Sequence, residues 1–432
     1  MDLKMTTFQN WAGLVRSTPN QFLQPQNLEE LRRIVQSGVN IRPVGAGHSF
    51  TPVAAGDDVM VNLDHLSGIV SVDEESKRVR FLAGTRLRDV PALLRPYGLA
   101  LVNQGDVDPQ SLAGAVSTST HGTGVDYTGF AGTVTALTFF DVSGELRHLN
   151  IDEDPETLRL ATVSIGTLGI VVEVEMQCVD AFDLQAVESG DDFTDILNTF
   201  EERARAVDHF ECFWFPGAKR AMTKENTRLP AETPAGQGKV KKFITDEMLG
   251  NGAFAGVLQL GRVLPSAIPT LNRAATAAIS NNRYRAPAHE VFVTSRRVRF
   301  HEMEYAVPLA DGPSIVKEIR QLIDNRGWHF GFPIEMRTTA ADDVALSTAY
   351  GRESMYIAVH VPQFQKPWEF FPDIEAIFRA GGGGRPHWGK MRTLQRDDLA
   401  ELYPRFDDFC SLREQFDPQW RLRTPYLKRL FA

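Results

Sequence analysis

The chain has 432 residues, of which 43% are hydrophobic and 23% are charged, a balance typical of a globular protein with a substantial core. Its net charge of −9 argues against a nucleic-acid partner, because such proteins carry a basic surface. With three widely spaced cysteines, no secretory signal and no apolar run of about 18 residues, we expect a cytoplasmic protein without disulfides, zinc or an integral membrane segment.

Residues 1–177 are predicted to form a first region of mixed helices and strands. A helix is expected to begin after Asn27, whose side chain is a typical N-cap with Glu30 three residues on, and to end at Gly38. Strands are predicted at 41–44, 59–63, 69–72, 79–82, 134–142 and, after a loop, up to 174, with a hairpin turn at Ser143-Gly144 and a short helix over 87–94. This irregular order indicates α+β rather than regular β-α-β alternation.

Residues 178–382 are predicted to form a second α+β domain with its own sheet. Helices are expected over 193–204 and 307–324, and strands over 290–293 and 355–361. Residues 227–241 are rich in Pro, Ala, Gly and Lys, so we expect an exposed excursion there. Residues 383–432 form a third segment, ending in a helix and loop over 406–431.

A glycine-containing turn follows the strand over 41–44. It reads Gly-Ala-Gly-His-Ser from Gly45 to Ser49, and glycines let backbone N–H groups approach a diphosphate closely. A dinucleotide-binding Gly-x-Gly-x-x-Gly would need a third glycine where Phe50 stands, so a Rossmann site is disfavoured. The alternative is a tight turn carrying a surface histidine.

Small and hydroxyl residues fill a second stretch, from Asn103 to Gly124. Such residues are poor core formers, but they supply N–H and O–H donors to phosphates and ring edges. Taken alone, the stretch is equally typical of a Ser/Thr-rich surface loop.

Charged candidates lie further along the chain. Glu335 and Arg337 alternate on a predicted strand and therefore share one face, where they can orient a polyol or form a solvated ion pair. Lys390, in His-Trp-Gly-Lys, can place positive charge near a developing anion or be an ordinary loop lysine. His360 lies in an apolar strand, where a satisfied core histidine is the simpler interpretation. His301-Glu302 lacks the second histidine of a zinc protease, and neither a nucleophile elbow nor a phosphate loop is present.

Together and in this order, the motifs resemble the vanillyl-alcohol oxidase superfamily. They are Gly-x-Gly-His-Ser-Phe at 45–50, Ala-Gly-Ala-x-Ser-Thr-x-Thr-His-Gly-Thr-Gly at 113–124, Gly-x-Leu-Gly-Ile-Val at 166–171, Glu-x-Arg at 335–337 and Arg-Pro-His-Trp-Gly-Lys at 385–390. Within the superfamily, the chain resembles the branch of alditol oxidase, L-gulono-1,4-lactone oxidase or dehydrogenase, and D-arabinono-1,4-lactone oxidase. The resemblance implies an α+β fold, with a bipartite FAD-binding domain interrupted by an α+β substrate cap domain over 178–382.

The resemblance also implies residue roles. His48 matches a histidine that bonds covalently to the flavin, Glu335 and Arg337 match partners of the substrate hydroxyls, and Lys390 matches a lysine near flavin and substrate. Asp106 and His360 are further substrate-binding candidates. The implied FAD contacts are Arg42, Pro43, Val44, Gly45, Ala46, Gly47, His48, Ser49, Gly105, Asp106, Ser111, Gly114, Thr118, Ser119, Thr120, His121, Ile170, Val171, His387 and Lys390. No metal is implied.

The implied reaction is hydride transfer from an aldono-1,4-lactone to FAD, with O2 as acceptor, because Gly105 stands where the family has a small gate residue. The alternatives are an alditol oxidase and a dehydrogenase using an artificial, cytochrome or quinone acceptor. Asp106 and Pro362 replace hydroxyl residues of alditol oxidase, which counts against an open-chain polyol. Two other classes stay open: a flavin-binding module without activity, and an oxidoreductase for a lipid-linked sugar, docking through an apolar loop over 227–262 that contains Phe243, Met248, Leu249 and Phe254.

Overall fold

The computed structural model describes residues 7–232, 252–294 and 298–432. Its strands form two large sheets and two small ones, with helices packed around them. The strands are β1 (Phe8–Gln9), β2 (Arg16–Ser17), β3 (Gln21–Leu23), β4 (Ile41–Val44), β5 (Val59–Asn62), β6 (Ile69–Asp73), β7 (Arg78–Leu82), β8 (Leu99–Leu101), β9 (Val134–Phe140), β10 (Leu146–Asn150), β11 (Ile170–Asp180), β12 (Phe182–Asp192), β13 (His209–Trp214), β14 (Arg220–Pro230), β15 (Asn282–Pro287), β16 (Phe300–Pro308), β17 (Ile334–Thr339), β18 (Ser354–Pro362) and β19 (Arg385–Pro386).

The helices lie mostly between and outside the sheets. They are α1 (Leu28–Gln36), α2 (Val90–Leu94), α3 (Leu112–Ser117), α4 (Pro155–Ala161), α5 (Phe193–Asn198), α6 (Phe200–Ala206), α7 (Gly252–Val263), α8 (Ile268–Ala277), α9 (Ala288–Phe292), α10 (Gly312–Arg326), α11 (Phe371–Ala380), α12 (Arg396–Leu402), α13 (Phe406–Phe416) and α14 (Pro425–Phe431). Helices and antiparallel strands are segregated rather than alternating, which confirms the predicted α+β class.

A small parallel sheet with the order β3-β5-β4 carries the glycine turn at the end of β4. Helix α1 covers this sheet through Leu31 and Val35, which are buried in one apolar cluster with residues of β4 and β5. The predicted cap is confirmed, because the Asn27 side chain accepts a hydrogen bond of 2.9 Å from the Glu30 N–H. The helix ends at Ser37, followed by Gly38 with φ of +81°.

The first large sheet has the order β10-β9-β11-β7-β6, and β8 also pairs with β11. Strands β9 and β10 form the predicted hairpin, with Gly144 at φ of +82° in its turn. The second large sheet is antiparallel, with the order β15-β12-β14-β13-β17-β18-β16-β19. Strand β11 continues through residue 177 to Asp180, and the domain limits proposed above stay predictions.

The segment after α3 is hydrogen-bonded to the second large sheet. Gly124 donates its N–H to the Thr338 carbonyl at 2.8 Å, and Thr338 donates in turn to the Thr123 hydroxyl at 3.2 Å. The Thr123 hydroxyl donates to the Phe210 carbonyl at 2.5 Å, which ties the same segment to β13. These bonds hold the Ser/Thr-rich stretch against β13 and β17, and β17 also carries Glu335 and Arg337.

Three sequence predictions in the second region are wrong in detail. Residues 290–293, predicted as a strand, belong mainly to helix α9, because a short apolar run does not distinguish the two structures. The helix predicted from Val307 begins only at Gly312, since residues up to Pro308 pair in β16. The helix predicted over 193–204 is divided at Thr199 into α5 and α6.

The excursion predicted over 227–241 is only partly described. Residues up to Pro230 belong to β14, and residues 233–251, with Phe243, Met248 and Leu249, lie outside the described residues. The following residues form α7 rather than a loop, with Leu260 and Val263 exposed. No helix of the described residues combines the length and the hydropathy that crossing a bilayer requires.

Candidate active site

The glycine turn forms the floor of a cavity of about 990 Å³, named here the loop-side cavity. Gly47 has φ of +68°, a left-handed conformation that favours glycine. A β-carbon at Gly45 would overlap the Ser111 hydroxyl, and one at Gly114 would lie 2.9 Å from the same oxygen. The predicted residues that line this cavity are Arg42, Pro43, Val44, Gly45, Ala46, Gly47, His48, Ser49, Ser111, Gly114, Thr118 and Val171.

Arg42 uses its guanidinium to hold the protein together. It donates to the carbonyls of Ile165 and Gly166 at 2.6 Å each and to that of Leu422 at 3.0 Å. Burial lowers its pKa to about 9. The Arg42 side chain therefore links β4 to the loop before β11 and to the C-terminal segment. Its Nη1 and Nη2 groups are engaged by these carbonyls.

A second cavity of about 1340 Å³, the charged cavity, continues from the first. His48, Ser49, Gln110 and Thr118 line both, so His48 stands at their junction. The predicted residues that line the charged cavity are His48, Ser49, Gly105, Asp106, Thr118, Thr120, His121, Glu335, Arg337, His360, His387 and Lys390. The glycine-lined loop-side cavity, joined to the polar charged cavity, suits a dinucleotide cofactor whose redox-active ring would lie at the charged end.

Arg337 lies among three carboxylates in the charged cavity. Its guanidinium lies 3.0 Å from Glu335, 3.1 Å from Glu211 and 3.4 Å from Asp106. Burial alone would lower the pKa of Arg337, but these carboxylates raise it well above its usual value. The predicted common face of Glu335 and Arg337 is present, and both side chains are buried, so the alternative of a solvated ion pair is excluded.

Lys390 is placed by strand β16. The Glu302 and Glu304 carbonyls accept hydrogen bonds of 3.0 Å from the N–H groups of Met391 and His387, respectively, and thus hold the segment on either side of Lys390. The Glu302 carboxylate forms an ion pair with the Lys390 ammonium, and a Glu304 oxygen lies 4.0 Å away. Burial would lower the pKa of Lys390, but the two glutamates raise it, so the ammonium stays charged.

Three histidines surround this lysine and differ in their partners. His360 Nε2 lies 3.3 Å from Glu302, and His121 Nε2 lies 3.3 Å from Glu304. His387 instead accepts a hydrogen bond of 3.0 Å at Nδ1 from the Gly389 N–H, and burial lowers its pKa to about 3. His387 is therefore neutral.

His48 stacks on Trp11, with ring centroids 5.6 Å apart and planes at 21°. Burial, together with the positive charges of Lys390 and Arg86, lowers its pKa to about 4. At neutral pH the imidazole is therefore uncharged, with a free lone pair on one ring nitrogen.

Two predicted contacts lie away from both cavities, and several residues of the site were not predicted. Ile170 is buried in the core against α1, and the Ser119 hydroxyl lies 3.4 Å from that of Thr348. They include Trp11, which stacks on His48, and the acidic residues Glu211, Glu302 and Glu304. The two acidic residues alternating in β16 were a usable signal, because charges at every second position of an otherwise apolar run mark one strand face. Among the described residues no metal-binding group of His, Cys, Asp and Glu side chains occurs.

The fold and the two cavities define a flavin-dependent oxidoreductase, and comparison with known proteins agrees. An FAD-binding domain profile matches residues 19–150, and the profile of D-arabinono-1,4-lactone oxidase matches residues 174–430. The chain belongs to the D-arabinono-1,4-lactone oxidase family. Its resemblance to the aldonolactone branch, expected from the sequence, is thereby confirmed.

Several relatives match over most of their length. L-gulono-1,4-lactone dehydrogenase of Mycobacterium tuberculosis is 36% identical over 98% of this chain and 99% of its own. L-gulonolactone oxidase of Bos taurus is 27% identical over 99% of each chain, and D-arabinono-1,4-lactone oxidase of Eremothecium gossypii is 29% identical over 76% of this chain and 65% of its own.

Among solved structures, cholesterol oxidase from Brevibacterium sterolicum superposes with a TM-score of 0.81 at 16% identity, covering 99% of this chain and 97% of its own. A solvent-stable cholesterol oxidase gives 0.82 at 18% identity, with the same coverage. At these identities the likeness concerns the fold, and it confirms the expected flavin-oxidase architecture.

Proposed function

We propose that this protein oxidises an aldono-1,4-lactone of the gulono or arabinono type. Bound FAD supplies the acceptor for the hydride that leaves the hydroxyl-bearing carbon of the substrate. The carbon–oxygen bond becomes a carbonyl, and the hydroxyl proton is released to water and is taken up again when the electron acceptor is reduced. The observation that carries the proposal is the continuity of the two cavities at His48, with Arg337, Glu335 and Lys390 all facing the larger one.

FAD fits the loop-side cavity through its glycine floor. The backbone of residues 45–49 and Ser111 would hold the diphosphate, and a side chain at residue 45 would fill the space. We propose a covalent bond from His48 to the flavin, because the neutral imidazole at the junction has the lone pair that this bond requires.

The substrate lies against the second sheet. Arg337 and Glu335 hold its ring hydroxyls, since a guanidinium beside a carboxylate offers donors and acceptors together. Asp106 and His360 border the same space and give further acceptors and donors. Lys390 stabilises the negative charge that develops on the substrate oxygen.

We propose O2 as the electron acceptor, reduced to H2O2 by the two electrons and two protons of each turnover. Gly105 lines the charged cavity, and a β-carbon there would lie 2.8 Å from the His121 carbonyl oxygen, so this wall carries no side chain. A dehydrogenase using a cytochrome, quinone or dye is the second candidate, favoured by the name of the mycobacterial relative. The proposed location is the cytoplasm, following the cysteine usage.

Anaerobic bleaching of the flavin tests this proposal. The purified holoprotein is mixed with a panel of 1,4-lactones and alditols, and the visible flavin absorbance is followed. Rapid bleaching by gulono- or arabinono-1,4-lactone is expected, with alditols slower. Bleaching by alditols alone would favour the alditol alternative, and bleaching by none of them would contradict the proposal. Turnover in air compared with turnover on a dye then separates oxidase from dehydrogenase.

A further inference from the structure

Glu211 contacts Arg337 from outside the charged cavity. Arg337 Nε donates a hydrogen bond of 3.1 Å to a carboxylate oxygen of Glu211. Arg337 lines the charged cavity, whereas Glu211 is buried and lines neither cavity. A carboxylate is costly to bury unless it is paired and hydrogen-bonded. Among the described residues, Arg337 is the one cationic side chain within ion-pair distance of Glu211.

The backbone places the two residues opposite one another. Strands β13 and β17 are antiparallel, with Cys212 opposite Met336. The same register, continued by one residue, brings Glu211 opposite Arg337. Directly opposed residues of an antiparallel pair point to the same face, with β-carbons about 4.5–5.5 Å apart. The hydrogen bond between the two side chains therefore follows from the strand pairing.

The backbone ladder changes immediately beyond this pair. The Thr338 N–H donates to the Thr123 hydroxyl at 3.2 Å, and this hydroxyl donates to the Phe210 carbonyl at 2.5 Å. A side-chain oxygen thus bridges the two strands in the place of a direct backbone hydrogen bond. Because the strands are tied on both sides of Glu211 and Arg337, the backbone segments that carry the pair are held in place.

The guanidinium of Arg337 is planar, so a bond at one nitrogen sets the direction of the other two. Its Nε is engaged by Glu211. Its Nη1 lies 3.5 Å from Asp106, and its Nη2 lies 3.0 Å from Glu335. Asp106 and Glu335 both line the charged cavity, so the terminal nitrogens are on the cavity side of the guanidinium. The bond to Glu211 thus holds the edge of Arg337 that a ligand in this cavity would meet.

A second basic residue stands beside Glu211 and has another partner. Lys224 is opposite Glu211 in the register of β13 and β14. Its ammonium donates a hydrogen bond of 2.6 Å to the Val291 carbonyl, and this bond links β14 to helix α9. The carboxylate of Glu211 therefore serves Arg337 and not this lysine.

We propose that Glu211 is a positioning residue, which holds the terminal nitrogens of Arg337 in the direction of the substrate hydroxyl groups. This role rests on the proposed function, in which Arg337 binds those hydroxyls. Glu211 lines neither cavity, so it acts through Arg337. Without Glu211, the guanidinium can turn about the bonds of its long side chain, and binding the substrate then has to order it again. Substrate affinity should therefore suffer more than the rate of hydride transfer.

Stopped-flow measurement of anaerobic flavin reduction in the holoenzyme tests this role. The dependence of the rate on the concentration of gulono- or arabinono-1,4-lactone gives an apparent Kd and a limiting rate. In Glu211→Ala we expect the Kd to rise by about 10-fold to 150-fold, the factor that corresponds to one hydrogen bond to a charged group. The limiting rate should fall by a smaller factor. An unchanged Kd would overturn the role.

Glu375→Ala is the matched control for Glu211→Ala. It removes another buried carboxylate, which accepts a hydrogen bond from the Thr393 N–H and lines neither cavity. The Kd for the lactone should stay at the wild-type value in this control. An increase as large as that of Glu211→Ala would mean that loss of any buried carboxylate weakens binding, and the positioning role would be refuted.

An amide at residue 211 separates direction from charge. Glu211→Gln keeps an oxygen that accepts from Arg337 Nε, but a neutral acceptor is about half as strong, so the Kd should rise about half as far on a logarithmic scale. Equal losses in Glu211→Gln and Glu211→Ala would overturn the role. If Glu211→Ala does not retain flavin, Glu211→Asp takes its place. It keeps the acid but withdraws it by one methylene, and an unchanged Kd would again contradict positioning.

A double-mutant cycle with Arg337→Lys shows whether Glu211 acts through the guanidinium. Lysine has no planar fork for a neighbouring residue to direct. In the Arg337→Lys background, Glu211→Ala should therefore change the Kd by no more than about twofold. The full effect in that background would overturn the role. A wild-type flavin that no lactone reduces would refute the proposed function, whereas normal reduction with an unchanged Kd in Glu211→Ala would refute the positioning role alone.

Discussion

Gly45 and Ser111 meet at the floor of the loop-side cavity, where a β-carbon on residue 45 would overlap the Ser111 hydroxyl. The contact lies between the end of β4 and the start of α3. Gly45 therefore allows the local turn and also leaves the loop-side cavity open beside it. Close approach of two segments, and not backbone flexibility, is what requires glycine at this position.

Gly45→Ala should weaken FAD binding by about fivefold to 150-fold, because overpacking of this size costs roughly 1–3 kcal/mol. The measurement is the dissociation constant of FAD for apoprotein, or the flavin content of purified protein. Gly256→Ala is the matched control, since a β-carbon at that exposed helical position meets nothing within 4 Å. Equal FAD occupancy in the two variants would contradict the assignment.

His48→Ala should abolish acid-stable flavin while leaving bound, extractable FAD. The measurement is absorbance of the acid-precipitated protein pellet compared with the supernatant. His65→Ala, at an exposed position, should keep the colour in the pellet. A yellow pellet from His48→Ala would place the covalent bond elsewhere or show that none forms at residue 48.

Lys390→Met should slow anaerobic flavin reduction by the lactone by about 100-fold or more, since one preorganised charge at a developing anion has this effect. It also leaves Glu302 without its main partner. Stopped-flow absorbance gives the rate. Lys366→Met removes an exposed lysine and serves as control. A rate equal to that of the wild type would rule the role out.

Arg42→Ala should lower the free energy of unfolding by about 3 kcal/mol or more, because three carbonyls lose a charged donor. Denaturant titration of the apoprotein measures this without reference to flavin. Arg33→Ala, exposed on α1, should change it by no more than about 0.5 kcal/mol. Similar losses in both variants would show that the buried guanidinium is not a structural tie.

Stability should fall as the pH decreases from about 6.5 towards 3. Burial lowers the pKa of His209 to about 3, so the unfolded chain takes up a proton in this interval and the folded protein does not. The stabilising effect is complete above pH 6.5. In His209→Gln the slope of unfolding free energy against pH should decrease by up to one proton equivalent. An unchanged slope would mean that His209 is already protonated in the folded protein.

Several features were predictable because their signals are local. The cap formed by Asn27 with Glu30 and the turn at Gly144 in the first region, and the alternation of Glu335 with Arg337 in the second, each depend on residues close in sequence. Only the resemblance to a known family predicted that His48 and Lys390, which are far apart in sequence, border one cavity. Neither periodicity nor composition contains that information.

Strand β16 shows why the rest was missed. Both faces of this strand are buried, and the alternation set by Glu302 and Glu304 does not continue from Tyr305 to Val307, so Val307 was assigned to the next helix. Lys390 compensates the charge of Glu302 and Glu304, with His360 and His121 at 3.3 Å from them, and all three partners come from other parts of the chain. A sequence shows the acidic residues but not what compensates them.

The hydrogen bonds that Met391 and His387 donate to strand β16 have a consequence for the biosynthesis of the protein. The glutamates of this strand leave the ribosome well before the lysine that neutralises them. Until Lys390 has been synthesised, the nascent chain carries the negative charges of Glu302 and Glu304 without an ammonium group beside them. Burial of these two carboxylates is then unfavourable. The charges of Glu302 and Glu304 are therefore compensated by Lys390 only after the segment that carries this lysine has been synthesised.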